Sequence, residues 1–182
     1  MTKKGPWQVG NTTQKYKSAW LELSEDAVIQ PNGSPGLFAT VKIRPGVSVI
    51  ALDDDENVYL TSEYRYAIEQ ESIEVVSGAI EESEEPATAA RRELREELGI
   101  EAKDWVYLGF VHPLTSMVYS PAHLFMAKQL SFFEPQTDDS EIIQMVKKTL
   151  TEAVEMVLES KITHAPSCVL ILKANHLLNS RS

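Results

Sequence analysis

The segment from Gly78 to Ile100 constrains this chain more than any other part of its sequence. It contains three glutamates close together, Glu93, Glu96 and Glu97. In a helix, residues three and four apart share a face, so Glu93 and Glu97 point the same way with Glu96 beside them. Like charges at this spacing destabilise an isolated helix, whereas clustered carboxylate oxygens suit a hard cation such as Mg²⁺. A helix rich in Glu and Arg is also compatible with ordinary solvated charges, so the acids alone leave both interpretations open.

The helix itself is delimited by residues with clear conformational preferences. Pro86 suits the first turn of a helix, and Gly99 suits the position just beyond its end. Between them, four apolar residues fall three or four apart on one face: Ala87, Ala90, Leu94 and Leu98. The pattern predicts an amphipathic helix that packs one side on the core and carries the glutamates on another.

The spacing of the whole segment decides between the two interpretations. A glycine is followed by five residues and a glutamate, then by seven residues and the sequence Arg-Glu-Leu-Arg-Glu-Glu-Leu-Gly-Ile. This arrangement resembles the Nudix box without a departure, and the matching positions are Gly78, Glu84, Arg92, Glu93, Leu94, Glu96, Glu97, Gly99 and Ile100. The resemblance implies a hydrolase that cleaves a diphosphate linkage with the help of divalent metal ions.

The resemblance also implies a role for each position of the box. Glu93 and Glu97 are expected to be the main metal ligands, assisted by Glu96 and by the carbonyl of Ser77, and to serve catalysis through the metal. The cofactor is expected to be Mg²⁺, or Mn²⁺ in its place, with about one to three ions per site. The remaining positions are expected to be structural: Gly78 and Gly99 at turns, and Glu84 with Arg92 as an orienting ion pair.

Outside the box, the chain resembles the ADP-ribose pyrophosphatase and nucleoside diphosphate sugar hydrolase branch, over roughly Tyr16 to Lys173. The features that carry this likeness are Pro31-Asn32-Gly33, Tyr64-Arg65-Tyr66-Ala67, Ser72-Ile73-Glu74, Gly109-Phe110 with Pro113, and Asp138-Asp139-Ser140-Glu141-Ile142-Ile143. Five residues are candidates for substrate binding on this basis: Arg44, Arg65, Glu74, Tyr16 and Pro113. Arginine suits the diphosphate because its planar guanidinium makes bidentate bonds to phosphate oxygens. Glu74 is expected either to hold ribose hydroxyls or to orient Arg65.

The acidic segment after position 137 is the expected source of a catalytic carboxylate. The resemblance favours Glu141 as the general base or as a late metal ligand. Asp138 and Asp139 are equally acidic neighbours, so the choice among the three stays open. A turn-rich loop of this kind is free to close over a site.

One departure from the branch concerns the segment from Pro113 to His123. Relatives selective for ADP-ribose usually carry a glutamate here, near the terminal ribose, whereas this segment contains no carboxylate. We therefore expect broader selectivity among nucleoside diphosphate sugars, including GDP-mannose. His112 and His123 are expected to be structural more often than ligand-binding, and four scattered histidines with one cysteine form no zinc pattern.

The order of predicted elements defines the fold class. Strand-like segments dominate to Val76, one helix follows, strands return at 105–111 and 124–130, and helices close the chain near 150–160 and 165–178. This order predicts an α+β Nudix fold, a mixed β-sheet between helices in an α/β/α arrangement. Residues 1–45 are expected to form an N-terminal β-hairpin extension and residues 46–182 the hydrolase domain.

The N-terminal extension is also the expected dimerisation element. Relatives of this branch pair such strands about a two-fold axis, which implies a homodimer. Tyr16 is then a candidate to stack on a base in the partner's site. Trp20 is expected to fill the core instead, since large aromatic side chains usually do so.

Composition limits the other function classes. The chain has 182 residues and a formal net charge of −10, which disfavours binding to nucleic acid or to an anionic membrane surface. A single cysteine, Cys168, and the absence of a visible signal peptide make the cytoplasm the expected location. Two alternatives to a diphosphate-sugar hydrolase remain, a Nudix enzyme for NADH or a nucleoside triphosphate, and a catalytically silent nucleotide sensor.

Overall fold

The computed structural model describes residues 1–135 and 142–180. Its strands, in chain order, are β1 (Thr2–Lys4), β2 (Trp7–Lys17), β3 (Leu21–Ile29), β4 (Pro35–Ile43), β5 (Gly46–Leu52), β6 (Asn57–Arg65), β7 (Gln70–Glu74), β8 (Val76–Ala79), β9 (Ile100–Val111), β10 (Val118–Tyr119), β11 (Ala122–Phe132) and β12 (Gln144–Thr149). The helices are α1 (Pro86–Leu98), α2 (Leu150–Leu158) and α3 (Ala165–Asn179). Within these described residues, no helix is both long enough and apolar enough to cross a membrane.

The first of two compact units comprises Met1–Arg44 and His112–Pro121. Its strands form one sheet in the order β1-β2-β3-β4-β10, antiparallel except for the parallel pair β4 and β10. The sequence predicted only a hairpin in this region, whereas the sheet has five strands. The difference arises because β1 and β2 were not recognised as strands. Ten of the eleven side chains of β2 are not buried. The strand therefore lacks the alternating apolar pattern by which a strand is recognised from sequence.

Trp20 contradicts the expectation that it fills the core. It lies within the turn in which the Ser18 amide donates to the Leu21 carbonyl at 2.9 Å, and 66% of its surface is exposed. The guanidinium of Arg44 lies 5.4 Å from the centre of its ring. A turn between two strands projects side chains outward, and stacking on a cation covers part of the ring without burying it.

The second unit, Pro45–Val111 with Ala122–Ser182, is built on a seven-stranded sheet. Its main path is β12-β6-β5-β11-β9, with β7 paired to β6 and β8 paired to β5. The sheet is mixed, since β5 and β11 are parallel while the other pairs are antiparallel. Strand β12 was not predicted from the sequence; none of its side chains is fully buried.

Alternating residues of the central strands build two cores, one on each face of this sheet. Ile50 and Leu52 pack with α2 and α3 on one face, whereas Val49 and Ala51 pack with α1 on the other. This is the predicted α+β arrangement of a mixed sheet between helices. A side-chain period of two along each strand supplies both faces at once.

Helix α1 has the predicted limits, and glycine is required at its end. Gly99 adopts a φ of 62° and its amide bonds back to the Arg95 and Leu94 carbonyls. A Cβ at this position would also overlap the backbone around Phe133. The buried face differs from the prediction in one place, because Ala89 is buried while Ala87 is exposed.

The turn between β5 and β6 is organised by the carboxylate of Asp53. It accepts bonds from the backbone of Asp55 and Asn57, from the Asn57 side chain and from the Tyr59 hydroxyl at 2.8–3.0 Å, and Lys147 lies 3.3 Å away. Burial would raise the pKa of Asp53, but these donors outweigh it and lower the pKa to about 2. The charged carboxylate therefore stabilises the β5–β6 connection.

Replacing Asp53 with Asn should lower the free energy of unfolding at pH 7 by about 1 kcal/mol, after allowing for solvent screening. The pKa is 3.8 in the unfolded chain and about 2 in the fold. The stabilisation is therefore present above pH 3.8 and is lost as the pH falls towards 2. Urea unfolding at pH 7 and pH 3 measures the difference, with Asp54→Asn, an exposed neighbour, as control. An Asp53→Asn penalty that is the same at both pH values would contradict this assignment.

Candidate functional site

The box segment wraps around Arg92, which forms the most extensive ion-pair network of the described residues. Its guanidinium makes a bidentate pair with Glu84, with both distances 3.0 Å, and contacts Glu93 at 2.8 Å and Glu96 at 3.1 Å. A further N–H donates to the Ala79 carbonyl at 3.0 Å. These bonds, first among them those to Glu84, raise the pKa of Arg92 above its ordinary value. One cation thus fixes α1, the end of β8 and the intervening loop.

Gly78 is required by the position of the Glu93 carboxylate. A Cβ added at Gly78 would overlap the carboxylate atoms of Glu93. The carboxylate therefore lies directly against the backbone of Gly78, the residue that follows Ser77. This contact is the local reason for a glycine at the end of β8, and it brings the side chain of Glu93 close to the Ser77–Gly78 peptide.

The donor set at this place fits a hard divalent cation. The predicted donors are the Glu93, Glu96 and Glu97 carboxylates and the Ser77 carbonyl, all of them oxygen ligands of the kind Mg²⁺ takes. Within residues 1–135 and 142–180, no three His, Cys, Asp or Glu side chains already converge as a complete ligand cluster. Glu93 and Glu96 contact Arg92 instead. The metal-ligand roles of these residues remain predictions.

A cavity of about 450 Å³, lined by both charged and apolar residues, lies in the same unit. Its lining comprises Arg65, Ile68, Ser72, Glu74, Ser77, Thr163, His164 and Ala165. Two of the predicted substrate-binding residues, Arg65 and Glu74, therefore line one cavity together with the predicted metal ligand Ser77. Its volume falls within the range usual for small-molecule sites.

Arg65 is held in this cavity by two carboxylates. Glu74 accepts from Nε at 3.1 Å and from Nη2 at 2.9 Å, and Glu63 lies 2.7 Å from Nη1. Burial would lower the pKa of Arg65, but the bonds to Glu74 and the charges of Glu74, Glu63 and Glu97 raise it. Glu74 contributes most to this rise, and Glu97 contributes least.

The contacts of Glu74 bear on the two roles considered for it. Both carboxylate oxygens bond to Arg65, and the residue is only 5% exposed. Burial would raise the pKa of Glu74, but its bonds from Arg65 and Ser72 lower it. This geometry suits an orienting role toward Arg65 better than direct contact with ribose hydroxyls.

His164 was not singled out from the sequence, yet it lines this cavity. Its Nδ1 lies 2.8 Å from the Ser167 hydroxyl and 3.3 Å from a Glu74 oxygen. Burial lowers the pKa of His164, assisted by the charge of Arg65 and opposed by that of Glu74. No motif surrounds this residue, and its only local signal is its position before a helix with proline in its first turn.

Three further predicted residues lie in the first unit or beside its boundary. Tyr16 is in β2 and 57% exposed, Arg44 stacks on Trp20, and Pro113 belongs to the segment between β9 and β10. Glu141, Asp138 and Asp139, the candidates for the loop carboxylate, lie outside the described residues.

Comparisons with known proteins agree with the fold and the box. Residues 42–165 match the NUDIX domain family. The chain is 28% identical to a methanol dehydrogenase activator of Bacillus methanolicus, over 88% of each chain. It is 27% identical to an ADP-ribose pyrophosphatase of Bacillus subtilis (strain 168), over 87% of this chain and 86% of the relative.

A solved structure, the crystal structure of an ADP compounds hydrolase, superposes with a TM-score of 0.84 at 19% identity. The match covers 100% of this chain and 99% of the other, and it supports the fold. The family match spans most of the chain and includes the whole box. The chain therefore belongs to the Nudix family and is a Nudix hydrolase, similar to the branch that includes the ADP-ribose pyrophosphatases.

Proposed function

We propose that this protein hydrolyses the diphosphate bond of nucleoside diphosphate sugars, ADP-ribose among them, in a Mg²⁺-dependent reaction. The products are a nucleoside monophosphate and a sugar phosphate. The observation that carries the proposal is the cavity that Arg65, Glu74 and the box-flanking Ser77 line together. The similarity to the ADP-ribose pyrophosphatase of Bacillus subtilis supports the choice of substrate class.

The box residues hold the metal in this proposal. Glu93 and Glu97 are the main ligands, Glu96 and the Ser77 carbonyl assist, and Arg92 orients Glu93 through its short ion pair. Bound Mg²⁺, or Mn²⁺, neutralises the diphosphate and lowers the pKa of an attacking water. Because the metal reverses the local field, a protein of net charge −10 accepts an anionic substrate.

Arg65 binds the diphosphate in this proposal. A guanidinium has about five N–H donors, and its bonds to Glu74 and Glu63 leave others for phosphate oxygens. Glu74 fixes the plane of the guanidinium through the bidentate pair, which reduces the ordering required when substrate binds. Arg44 is proposed as a second phosphate-binding arginine.

Three further roles are proposals that rest on the family resemblance. Glu141 acts as the general base or a late metal ligand, with Asp138 and Asp139 as alternatives. Pro113 and Tyr16 contact the substrate, and Tyr16 does so across a homodimer built on the N-terminal strands. The dimer proposal is supported by large exposed side chains in this unit: Tyr16 on β2, Trp20 in the turn after it and Leu37 on β4.

The test is phosphate release, coupled to alkaline phosphatase, with a panel of diphosphates in the presence of Mg²⁺, Mn²⁺ or EDTA. The panel contains ADP-ribose, GDP-mannose, UDP-glucose, ADP-glucose, NADH and dGTP. We expect metal-dependent turnover of several diphosphate sugars, because the segment from Pro113 to His123 has no carboxylate that would select ADP-ribose. Faster turnover of NADH or dGTP than of every sugar nucleotide would contradict the proposed substrate class, and turnover in EDTA would contradict the metal requirement.

A further inference from the structure

His164 occupies a position that neither the box nor the substrate-binding arginines explain. It precedes α3 directly and lines the cavity that contains Arg65 and Glu74. The ring is largely buried, with 29% of its side chain exposed. A partly exposed imidazole that lines the same cavity as Arg65 is suited to contact the ligand that Arg65 binds.

The hydrogen bonds of Ser167 indicate which nitrogen of His164 carries the proton. Ser167 is completely buried, and its hydroxyl oxygen accepts from the Val75 amide at 3.0 Å. The hydroxyl hydrogen needs an acceptor of its own, because a buried donor without one is costly. Nδ1 of His164, 2.8 Å away, is that acceptor among the described residues. An imidazole that accepts at Nδ1 and is neutral carries its proton on Nε2.

The Nε2 edge of the ring is the accessible one. Within the described residues, the contacts of the His164 ring to polar protein groups are all made through the other nitrogen, Nδ1. No buried side-chain nitrogen or oxygen in that part of the chain lacks a partner, so Nε2, which has none, is open to solvent. The ring therefore has an accessible N–H donor, and His164 lines the cavity.

We infer that His164 is a substrate-binding residue, whose Nε2–H donates a hydrogen bond to an oxygen of the bound sugar nucleotide. The acceptor is a diphosphate or a sugar oxygen, since both offer lone pairs of the same kind. Ser167 positions the ring through its hydrogen bond to Nδ1, and Arg65 lines the same cavity. The inference deepens the proposed function and rests on it for the identity of the ligand.

Two amide substitutions separate substrate contact from a structural role. The side-chain nitrogen of Gln reaches approximately the place of Nε2, whereas the amide of Asn reaches only the place of Nδ1. His164→Asn should therefore keep the contact with Ser167 but raise KM for ADP-ribose about 5- to 10-fold, with kcat changed far less. His164→Gln should keep a KM close to that of the wild type. The reverse order, with Asn normal and Gln impaired, would show a structural role and overturn the inference.

Direct binding makes the test independent of turnover. Calorimetry with ADP-ribose in EDTA should show the same order of affinity, wild type and His164→Gln above His164→Asn. An equal loss with ADP as ligand places the acceptor on the diphosphate, and a loss confined to ADP-ribose places it on the terminal sugar. His176→Ala, on the same helix, is the matched control. If the wild type binds ADP-ribose without hydrolysing it, the proposed function fails while this comparison still stands; equal binding by both His164 variants overturns the inference.

Discussion

Glu97→Gln should lower turnover of ADP-ribose by at least about a thousandfold, because a lost metal ligand costs several kcal/mol of transition-state stabilisation. The substitution keeps the volume of the side chain and removes its charge. Glu97 lies four residues from Glu93 on the same helix, so neutralising it relieves a like-charge repulsion. The thermal midpoint should therefore stay unchanged or rise slightly, which separates lost catalysis from lost folding.

The measurement is kcat at saturating Mg²⁺, together with calorimetric Mg²⁺ binding and a thermal melt. Glu101→Gln is the matched control, since Glu101 is an exposed glutamate just beyond the same helix and its ion pair is with Arg95 at 3.3 Å. We expect the control to keep full activity. Full activity of Glu97→Gln would remove Glu97 from the metal site, and with it the main catalytic assignment of the box.

The parts of the fold that were predicted correctly are those in which the pattern of apolar residues matches the pattern of buried side chains. Helix α1 was predicted because Pro86 and Gly99 mark its limits and Leu94 and Leu98 face the core. Strand β5 was predicted because it is almost entirely buried and apolar. In both elements, the sequence pattern and the packing arise from the same residues.

The missed elements are strands whose stability comes from backbone pairing. Strand β2 is exposed along most of its length, and β12 forms the edge of the seven-stranded sheet with two lysines among its six residues. Their hydrogen bonds to β3 and β6 hold them extended, and exposed side chains leave no periodic signal of this. Strand pairing over long separations is a tertiary effect that a local pattern does not contain.

The site was predictable where a fixed spacing encodes it and unpredictable elsewhere. The ion pair of Glu84 and Arg92 was expected from the box, although its bidentate geometry was not. The contact between His164 and Glu74 was not expected, because it joins residues far apart in the chain through the packing of α3 against the sheet. For Glu74, the sequence left two roles open, holding ribose hydroxyls or orienting Arg65. The bidentate pair with Arg65 favours the second role.

Arg92→Ala should have the largest effect on stability, lowering the free energy of unfolding by about 2–3 kcal/mol. The side chains of Glu84 and Glu93 are only 11% and 12% exposed, so removing their cation leaves two poorly solvated carboxylates. Turnover should also fall strongly, since Glu93 loses the contact that orients it. Arg92→Lys should recover only part of either property, because one ammonium cannot pair bidentately with Glu84 and also reach the Ala79 carbonyl.

A double-mutant cycle tests whether the loss arises from the unpaired carboxylate rather than from the missing side chain. Arg92→Ala should be partly rescued by Glu84→Gln, with a coupling free energy of about 1–3 kcal/mol from urea unfolding. Arg91→Lys, a change at an exposed neighbour whose contact is the ring of Trp105 at 4.6 Å, serves as the control. Additive losses in the cycle would show that Glu84 and Arg92 act independently. In the double variant, we expect a favourable coupling free energy but no recovery of turnover. Glu84→Gln removes the charge that Arg92 neutralised in the loop, but Glu93 still lacks its orienting cation.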